Sequence, residues 1–356
     1  MAESEVYTWE PSDEALAARY GVGVERIVRF DTNTSPEGPE FVPSVLQAPA
    51  RLNEYPDSAY QALTDAAAAY AGVPDSEIIV GAGADEILDL IGKAFLPAGG
   101  AAIVPAPSYG MYPVVTSQRD ARRMDVPRRP GAQGWAMDVD GIVAALPGAQ
   151  VVWLCEPNNP TGSSDGPAAL ERILEAAAAV DPAPIVVVDE AYHEFTGQTV
   201  IPWRDRYPHL VVVRTLSKAF GLAGIRVGWA VAARPTIARL ERVRPAGSIS
   251  TVSAALAAAA LARPEVARAR AAALAAEREW LASRLAAAGW TPYPSVTNFV
   301  LVPLGTARDA DEAAQRLLRK GLVPRTFATD GPLAGHLRLT VRSREENERL
   351  LAAITA

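Results

Sequence analysis

The sequence predicts an α/β protein: a large unit with a mostly parallel sheet flanked by helices, followed by a smaller α+β unit. Three observations predict it. Short runs that are apolar throughout alternate with helical patterns, as expected of strands buried on both faces under helices. After about residue 235 the texture changes to Ala-rich segments dotted with Arg and Glu. At 356 residues, 49% of them hydrophobic and 21% charged, the chain has room for roughly two globular domains.

The first strand is expected at 78–80, with a helix over 85–95. Residues 101–104 form a strand that ends at Pro105, and 151–155 form another that opens into the loop 156–162. Residues 168–179 are helical, and 185–188 form a strand ending at Asp189-Glu190. The run 210–213 leads into the segment around Lys218, and 227–231 adds one more strand. In such a sheet, functional groups collect at the carboxyl ends of the strands. Further on, helices are expected over 253–262 and 264–288, with Pro264 breaking the first and starting the second. A strand at 298–302, a helix at 311–320 and a strand at 336–341 complete the smaller unit. There is no internal repeat.

Composition excludes several classes of function. A net charge of −7 argues against nucleic-acid binding. One cysteine, Cys155, gives neither a disulfide framework nor a metal cluster, and the three histidines are scattered. Residues 1–10 are polar and acidic, unlike a leader, and no apolar run approaches the ~20 residues that span a bilayer. A cytoplasmic protein is expected.

Lysine usage is the sharpest signal. Lys and Arg together number 34, yet Lys93, Lys218 and Lys320 are the only lysines. A lysine at a strand end among small residues suggests chemistry that arginine cannot do, because lysine can lose its proton and form a Schiff base. The plainer alternative is a surface lysine at a turn. Asp189, at the end of a buried strand, is expensive unless paired, and a protonated pyridine nitrogen is one suitable partner; a helix cap or loop ion pair is another. Tyr192 can bond a ring hydroxyl or pack as an aromatic. Gly81-Ala82-Gly83-Ala84-Asp85-Glu86 follows a strand and opens a helix, so backbone N–H groups there suit an anion. Glu86 breaks the G-x-G-x-x-G fingerprint, so a single phosphate fits better than a pyrophosphate. Thr215, Ser217 and Arg226 offer hydroxyls and a guanidinium for the same phosphate, or a cap and a surface charge. Asn159, in Asn158-Asn159-Pro160-Thr161-Gly162, is either a turn residue or a partner for an aromatic hydroxyl. Arg338, flanked by leucines, is either a receptor for a substrate carboxylate or phosphate or the polar face of a strand.

Taken in order, Gly-Ala-Asp-Glu, Pro-x-Tyr-Gly-Met-Tyr, Asn-Asn-Pro-Thr-Gly, Val-Val-Asp-Glu-Ala-Tyr and Ser-Lys-x-x-x-x-x-Gly-x-Arg resemble the fold-type I, pyridoxal-phosphate-dependent class I/II aminotransferases. Within them the chain looks most like the histidinol-phosphate aminotransferases, from about residue 7 to 346. The resemblance implies a large cofactor domain over 46–240 with a seven-stranded type of sheet. An N-terminal arm with part of the small domain would take 1–45, and the rest of the small domain 241–356. It implies that Lys218 forms the Schiff base and shuttles the proton, Asp189 pairs with the ring nitrogen, and Tyr192 and Asn159 bond the ring hydroxyl. Tyr109 would stack on the ring. Ala84, Asp85, Thr215, Ser217 and Arg226 would hold the phosphate, with Tyr55 reaching across a homodimer to the partner's phosphate. Asn33 and Arg338 are implied on the substrate side, with Tyr7 and Arg325 at the phosphate of histidinol phosphate. The acceptor implied is a 2-oxo acid such as 2-oxoglutarate.

Two departures stand out. Asn33-Thr34-Ser35-Pro36 replaces the usual Asn-Glu-Asn-Pro, and Arg244-Pro245-Ala246-Gly247-Ser248 replaces an Arg-Pro-x-Tyr/Phe-Asn loop. Both are expected at the substrate end, where Gly247 removes an aromatic wall, so they bear on the amino donor and leave cofactor binding intact. An aromatic or other amino acid aminotransferase, a phospho-amino-acid decarboxylase and an amino acid oxidase are the alternatives on this fold. A regulatory domain joined to a DNA-binding module is not expected, since the fold starts almost at once.

Overall fold

Seven strands make the central sheet in a computed structural model that describes residues 10–47, 52–132 and 134–355. From edge to edge they are Ile78–Gly81, Gly228–Ala232, Leu210–Thr215, Ile185–Asp189, Val151–Cys155, Ala101–Ala106 and Arg122–Pro127. Gly228–Ala232 runs antiparallel to both neighbours, and every other pair is parallel. Six of the seven are the apolar runs of the sequence. The seventh, Arg122–Pro127, is an exposed edge whose only buried residue is Val126. Charged residues suit an edge, because they discourage pairing with another chain, but they leave no apolar run to read.

The two-sided burial explains why the central strands do not alternate. Val152, Leu154, Val186, Val188 and Val212 enter one core, beneath helices Gln61–Ala71, Pro167–Ala178 and Thr251–Leu261. Val151, Trp153, Val187, Val211 and Val213 enter a second core, beneath Gly83–Phe95, Met111–Gln118 and Arg234–Glu241. Each fully buried Val or Leu contributes roughly 1.5–3 kcal/mol. That reserve is what allows the same strands to carry a few costly polar groups at their carboxyl ends.

A third core lies around the antiparallel pair Phe299–Pro303 and His336–Thr340 and helices Pro264–Ala287, Ala307–Leu318 and Arg344–Thr355. Val28–Arg29 pairs with Leu322–Val323, which ties the N-terminal segment to this core. The Ala-rich region is two helices, Thr251–Leu261 and Pro264–Ala287, with Pro264 at the first helical position of the second. Thr251–Leu261 packs into the first sheet core together with Ala267 and Ala271, whereas Leu274, Leu281 and Leu285 belong to the third. The change of core thus falls inside one helix, between Ala271 and Leu274, and we propose placing the domain division there instead of at 240/241. Among the described residues no helix is long and apolar enough to cross a membrane.

Candidate active site

The floor of the site is Asp189, the last residue of its strand, set beside Cys155 and Val213 in the sheet register. It is 3% exposed. One carboxylate oxygen accepts from the Tyr112 hydroxyl at 2.9 Å and the other from the Ala191 amide at 3.1 Å. Tyr112 is itself fixed by stacking on Trp153, with ring centroids 5.6 Å apart and 1° between planes. Among the described residues no cation pairs with Asp189 within ion-pair distance. Burial pushes its carboxyl up to about 6, against the opposing pull of Tyr112 and Ala191. A buried carboxylate with only neutral donors is a site that lacks a positive charge, and a protonated ring nitrogen would supply one.

The loop after Asp189 is anchored by a buried ion pair. Glu190 and Arg214 are 2.6 Å apart, each 3% exposed, and Glu190 also accepts from the Thr199 hydroxyl and the Val200 amide. Replacing Glu190 by alanine leaves the Arg214 charge buried and unpaired. The expected loss is about 3–5 kcal/mol of unfolding free energy, measurable by urea denaturation. A loss below about 1 kcal/mol, the size of a surface pair, would show that the pair does not anchor the loop.

Lys218 is half-buried, with Nζ 5.8 Å from the centre of the Tyr192 ring. Burial and the positive charge of Arg338 lower its pKa to about 8, while Asp85 and Asp189 pull the other way. The loop that carries it is tied down through its carbonyls. Ser35 donates to the Lys218 carbonyl at 3.0 Å, and Arg270 donates to that of Phe220 at 2.7 Å. Gly221 turns this loop at φ +68°, and a Cβ there would lie 2.7 Å from the Arg270 guanidinium.

An anion cradle adjoins Lys218. Helix Gly83–Phe95 begins without a side-chain cap, so its first amides can serve an external acceptor. Arg226 lies across this helix start, donating to Asp85 at 3.0 Å. A Cβ at position 83 would sit 2.6 Å from the Arg226 guanidinium, and one at 228 would sit 2.5 Å from the Ala84 nitrogen. The close approach therefore requires both glycines. Thr215 donates to the Ser217 hydroxyl at 2.9 Å, and both residues line the same cavity as Ala84 and Asp85. Ala84, Asp85, Thr215, Ser217, Arg226, Asp189 and Lys218 all line one cavity of about 180 Å³.

A second cavity, of about 390 Å³, holds Arg338 and Arg325. It shares Thr32, Tyr109, Asn159 and Lys218 with the first. Arg338 is 8% exposed; it donates to the Asn159 side-chain oxygen at 2.6 Å and to the Asp31 carbonyl, and its Nε is buried without a partner. Burial lowers its pKa to about 10. No acidic side chain among the described residues pairs with it. Arg338 is thus the converse of Asp189: a buried cation lacking an anion. Arg325 sits opposite it, with backbone bonds of 3.0 Å in both directions, and its guanidinium is paired with Glu10.

The remaining expected residues divide clearly. Tyr192 lines the smaller cavity and accepts from the Asn33 amide at 3.0 Å, which leaves its hydroxyl hydrogen to donate. Asn33 lines the larger cavity, but its side chain is committed to Tyr192 and Thr340, so it orients Tyr192. Tyr109 stands where the cavities meet, edge-on to Tyr112 and bonded to Asp85 at 2.9 Å. Tyr55 is 97% exposed and lines neither cavity. Tyr7 lies outside the described residues.

The two sequence departures were expected at the substrate end; their changed residues do not line the larger cavity. Thr34 lines the smaller cavity beside Asp189, and Ser35 holds the Lys218 carbonyl. Ser248 donates to Glu86 at the start of the cradle helix, at 2.8 Å, and Gly247 is exposed and lines neither cavity. Ser35 and Ser248 thus bond to the Lys218 loop and to the cradle helix, segments far from them in the chain. Tyr112, Arg270 and Glu10 were given no role in the sequence reading, although Tyr112 closes the Pro-x-Tyr-Gly-Met-Tyr motif. Tyr112 left a signal, since it falls one helical turn after Tyr109.

Comparison with known proteins finds relatives along nearly the whole chain. The family model for aminotransferase class I and II matches residues 27–354. A histidinol-phosphate aminotransferase of Thermoanaerobacter pseudethanolicus is 38% identical over 330 residues, covering 91% of each chain. One from Roseiflexus castenholzii is 36% identical over 365 residues, covering 99% of this chain and 95% of the relative. The crystal structure of histidinol-phosphate aminotransferase from Sinorhizobium meliloti in complex with pyridoxal-5'-phosphate superimposes with a TM-score of 0.88 at 28% identity, over 98% of this chain and 94% of that one.

Proposed function

This chain belongs to the class I and II aminotransferase family, and from that we propose that it uses pyridoxal phosphate to exchange an amino group between histidinol phosphate, or a related amino donor, and a 2-oxo acid such as 2-oxoglutarate. The observation that carries the reading is the pair of cavities that meet at Lys218. One ends at a buried carboxylate without a cation and the other at a buried guanidinium without an anion.

Bound in the smaller cavity, pyridoxal phosphate would supply an aldehyde that condenses with amines and a ring that takes up the electron pair left at the donor carbon. Asp189 would hold a proton on the ring nitrogen. Arg226, Thr215, Ser217 and the amides of Ala84 and Asp85 would bind the phosphate and so fix the orientation. Tyr192 and Asn159 would bond the ring hydroxyl, and Tyr109 would cover the ring face. Arg338 would take the anionic group of the donor and turn its Cα–H bond toward Lys218. Lys218, neutral at a fraction set by its lowered pKa, would accept that proton and return it elsewhere. Tyr55, exposed and away from its own site, supports a homodimer in which it reaches the partner's phosphate.

A donor panel tests the substrate. Mixing the cofactor-loaded protein with histidinol phosphate is expected to convert the cofactor to its amine form, followed by absorbance. Phe327 and Leu333 on the wall of the larger cavity favour an aromatic amino acid as the second reading. Conversion by phenylalanine or tyrosine and not by histidinol phosphate would replace the first reading with that one. Stoichiometric CO2 release or O2 uptake would replace both.

A further inference from the structure

We infer that Glu10 determines specificity for the distal charge of the amino donor: its carboxylate acts as a built-in counter-anion on Arg325, which a second anionic group on the ligand must displace. The inference rests on the reading of the Arg338 cavity as the substrate cavity.

Arg325 and Arg338 face each other across an antiparallel bridge, so their side chains leave the ladder on the same side and line the same cavity. Their surroundings differ. Arg338 is buried and has no acidic partner among the described residues, whereas Arg325 is ion-paired to Glu10. The two pair members are 33% and 22% exposed, so the pair is screened and can be exchanged. Asp31, the other acid on this wall, is held by Arg29 at 2.8 Å and is not free to take the role.

Position reinforces the chemistry. Glu10 and Arg325 also line a separate cavity of about 540 Å³, so the ion pair stands in the partition between two hollows. A ligand with one carboxylate can use Arg338 and leave the partition closed. A ligand with a second negative charge, a dicarboxylate or a dianionic phosphate that spans both guanidiniums, must push Glu10 aside to reach Arg325. Glu10 repels that second anion until it moves. It therefore sets the affinity difference between singly and doubly anionic ligands.

Glutarate and butyrate are the probes, since they share a chain of similar length and differ by one carboxylate. Binding to the full chain as purified is followed by calorimetry at low salt. In Glu10→Gln the competing charge is gone, and glutarate is expected to bind roughly 2–5-fold more tightly while butyrate is unchanged. The gain should shrink as salt rises. Arg325→Met should remove the preference for glutarate whether or not Glu10 is present. An unchanged glutarate affinity in Glu10→Gln, or an equal change for both probes, would overturn the inference; so would an Arg325→Met variant that keeps the wild-type preference. A protein that transfers no amino group from any donor would defeat the proposed function and leave these binding results standing.

Discussion

Lys218→Ala is expected to lower amino transfer by on the order of 10⁴-fold, because in the proposed role one side chain would supply both the amine that bonds the cofactor and the base that moves the proton. Single-turnover conversion of the donor measures the loss. Lys218→Arg should be as inactive, since arginine retains the charge but not the ability to shed a proton near neutral pH. A small primary amine added to Lys218→Ala should restore part of the proton transfer. In the wild type, the lowered pKa sets a pH profile. Below about 8 the amine is mostly protonated, so capture of pyridoxal phosphate by Lys218 should speed up with rising pH and level off above about 8. Turnover in Lys218→Ala close to wild type would remove Lys218 from the mechanism.

Asp189→Asn is expected to have opposite effects on activity and on stability. Amino transfer should fall on the order of 10²–10³-fold, as when an electrostatic stabiliser of developing charge is lost. The cofactor-free protein should become more stable, but only above a certain pH. The folded carboxyl is pushed up to about 6 from an ordinary 3.8. Below about pH 4 it is protonated in folded and unfolded chains alike, and its burial carries no charge penalty. Between about pH 4 and 6 the unfolded chain releases the proton while the folded chain holds it, so stability falls as pH rises. Above about pH 6 the whole penalty stands. Asparagine has no charge to bury, so the variant should gain on the order of a few kcal/mol above about pH 6 and nothing below about pH 4. Urea midpoints at several pH values measure this. A gain independent of pH, or normal activity, would contradict the role given to Asp189.

Glu190 completes the contrast at this strand end. It lies next to Asp189 and is equally buried, yet Arg214 balances its charge. Its removal destabilises, whereas neutralising Asp189 stabilises. Neighbouring carboxylates thus behave oppositely because one has a cation within the protein and the other lacks one.

Much of this was legible in the linear chain. Six of the seven central strands showed as apolar runs, because burial on both faces removes polar residues from successive positions. Lys218, Asp189, Asn159, Tyr192 and Arg226 were visible because each sits at the end of such a run or within a few residues of a glycine turn. The Arg122–Pro127 edge strand was not, since an exposed edge need not be apolar. Pro264 marked the helix start, but the sequence could not show that Ala267 and Leu274 enter different cores.

By itself the sequence determined six of the seven central strands, the order of the motifs and the kind of chemistry Lys218 can do. These depend on residue type and on spacing along one strand or turn, which local sterics and burial control. Only the tertiary structure decided that Ser35 and Arg270 hold the Lys218 loop, that Tyr112 supports Asp189 from below, and that Glu10 occupies Arg325. Those pairings join segments up to 315 positions apart. Their energies come from distance, desolvation and the presence or absence of a counter-charge, and none of these is a property of neighbouring residues in the chain.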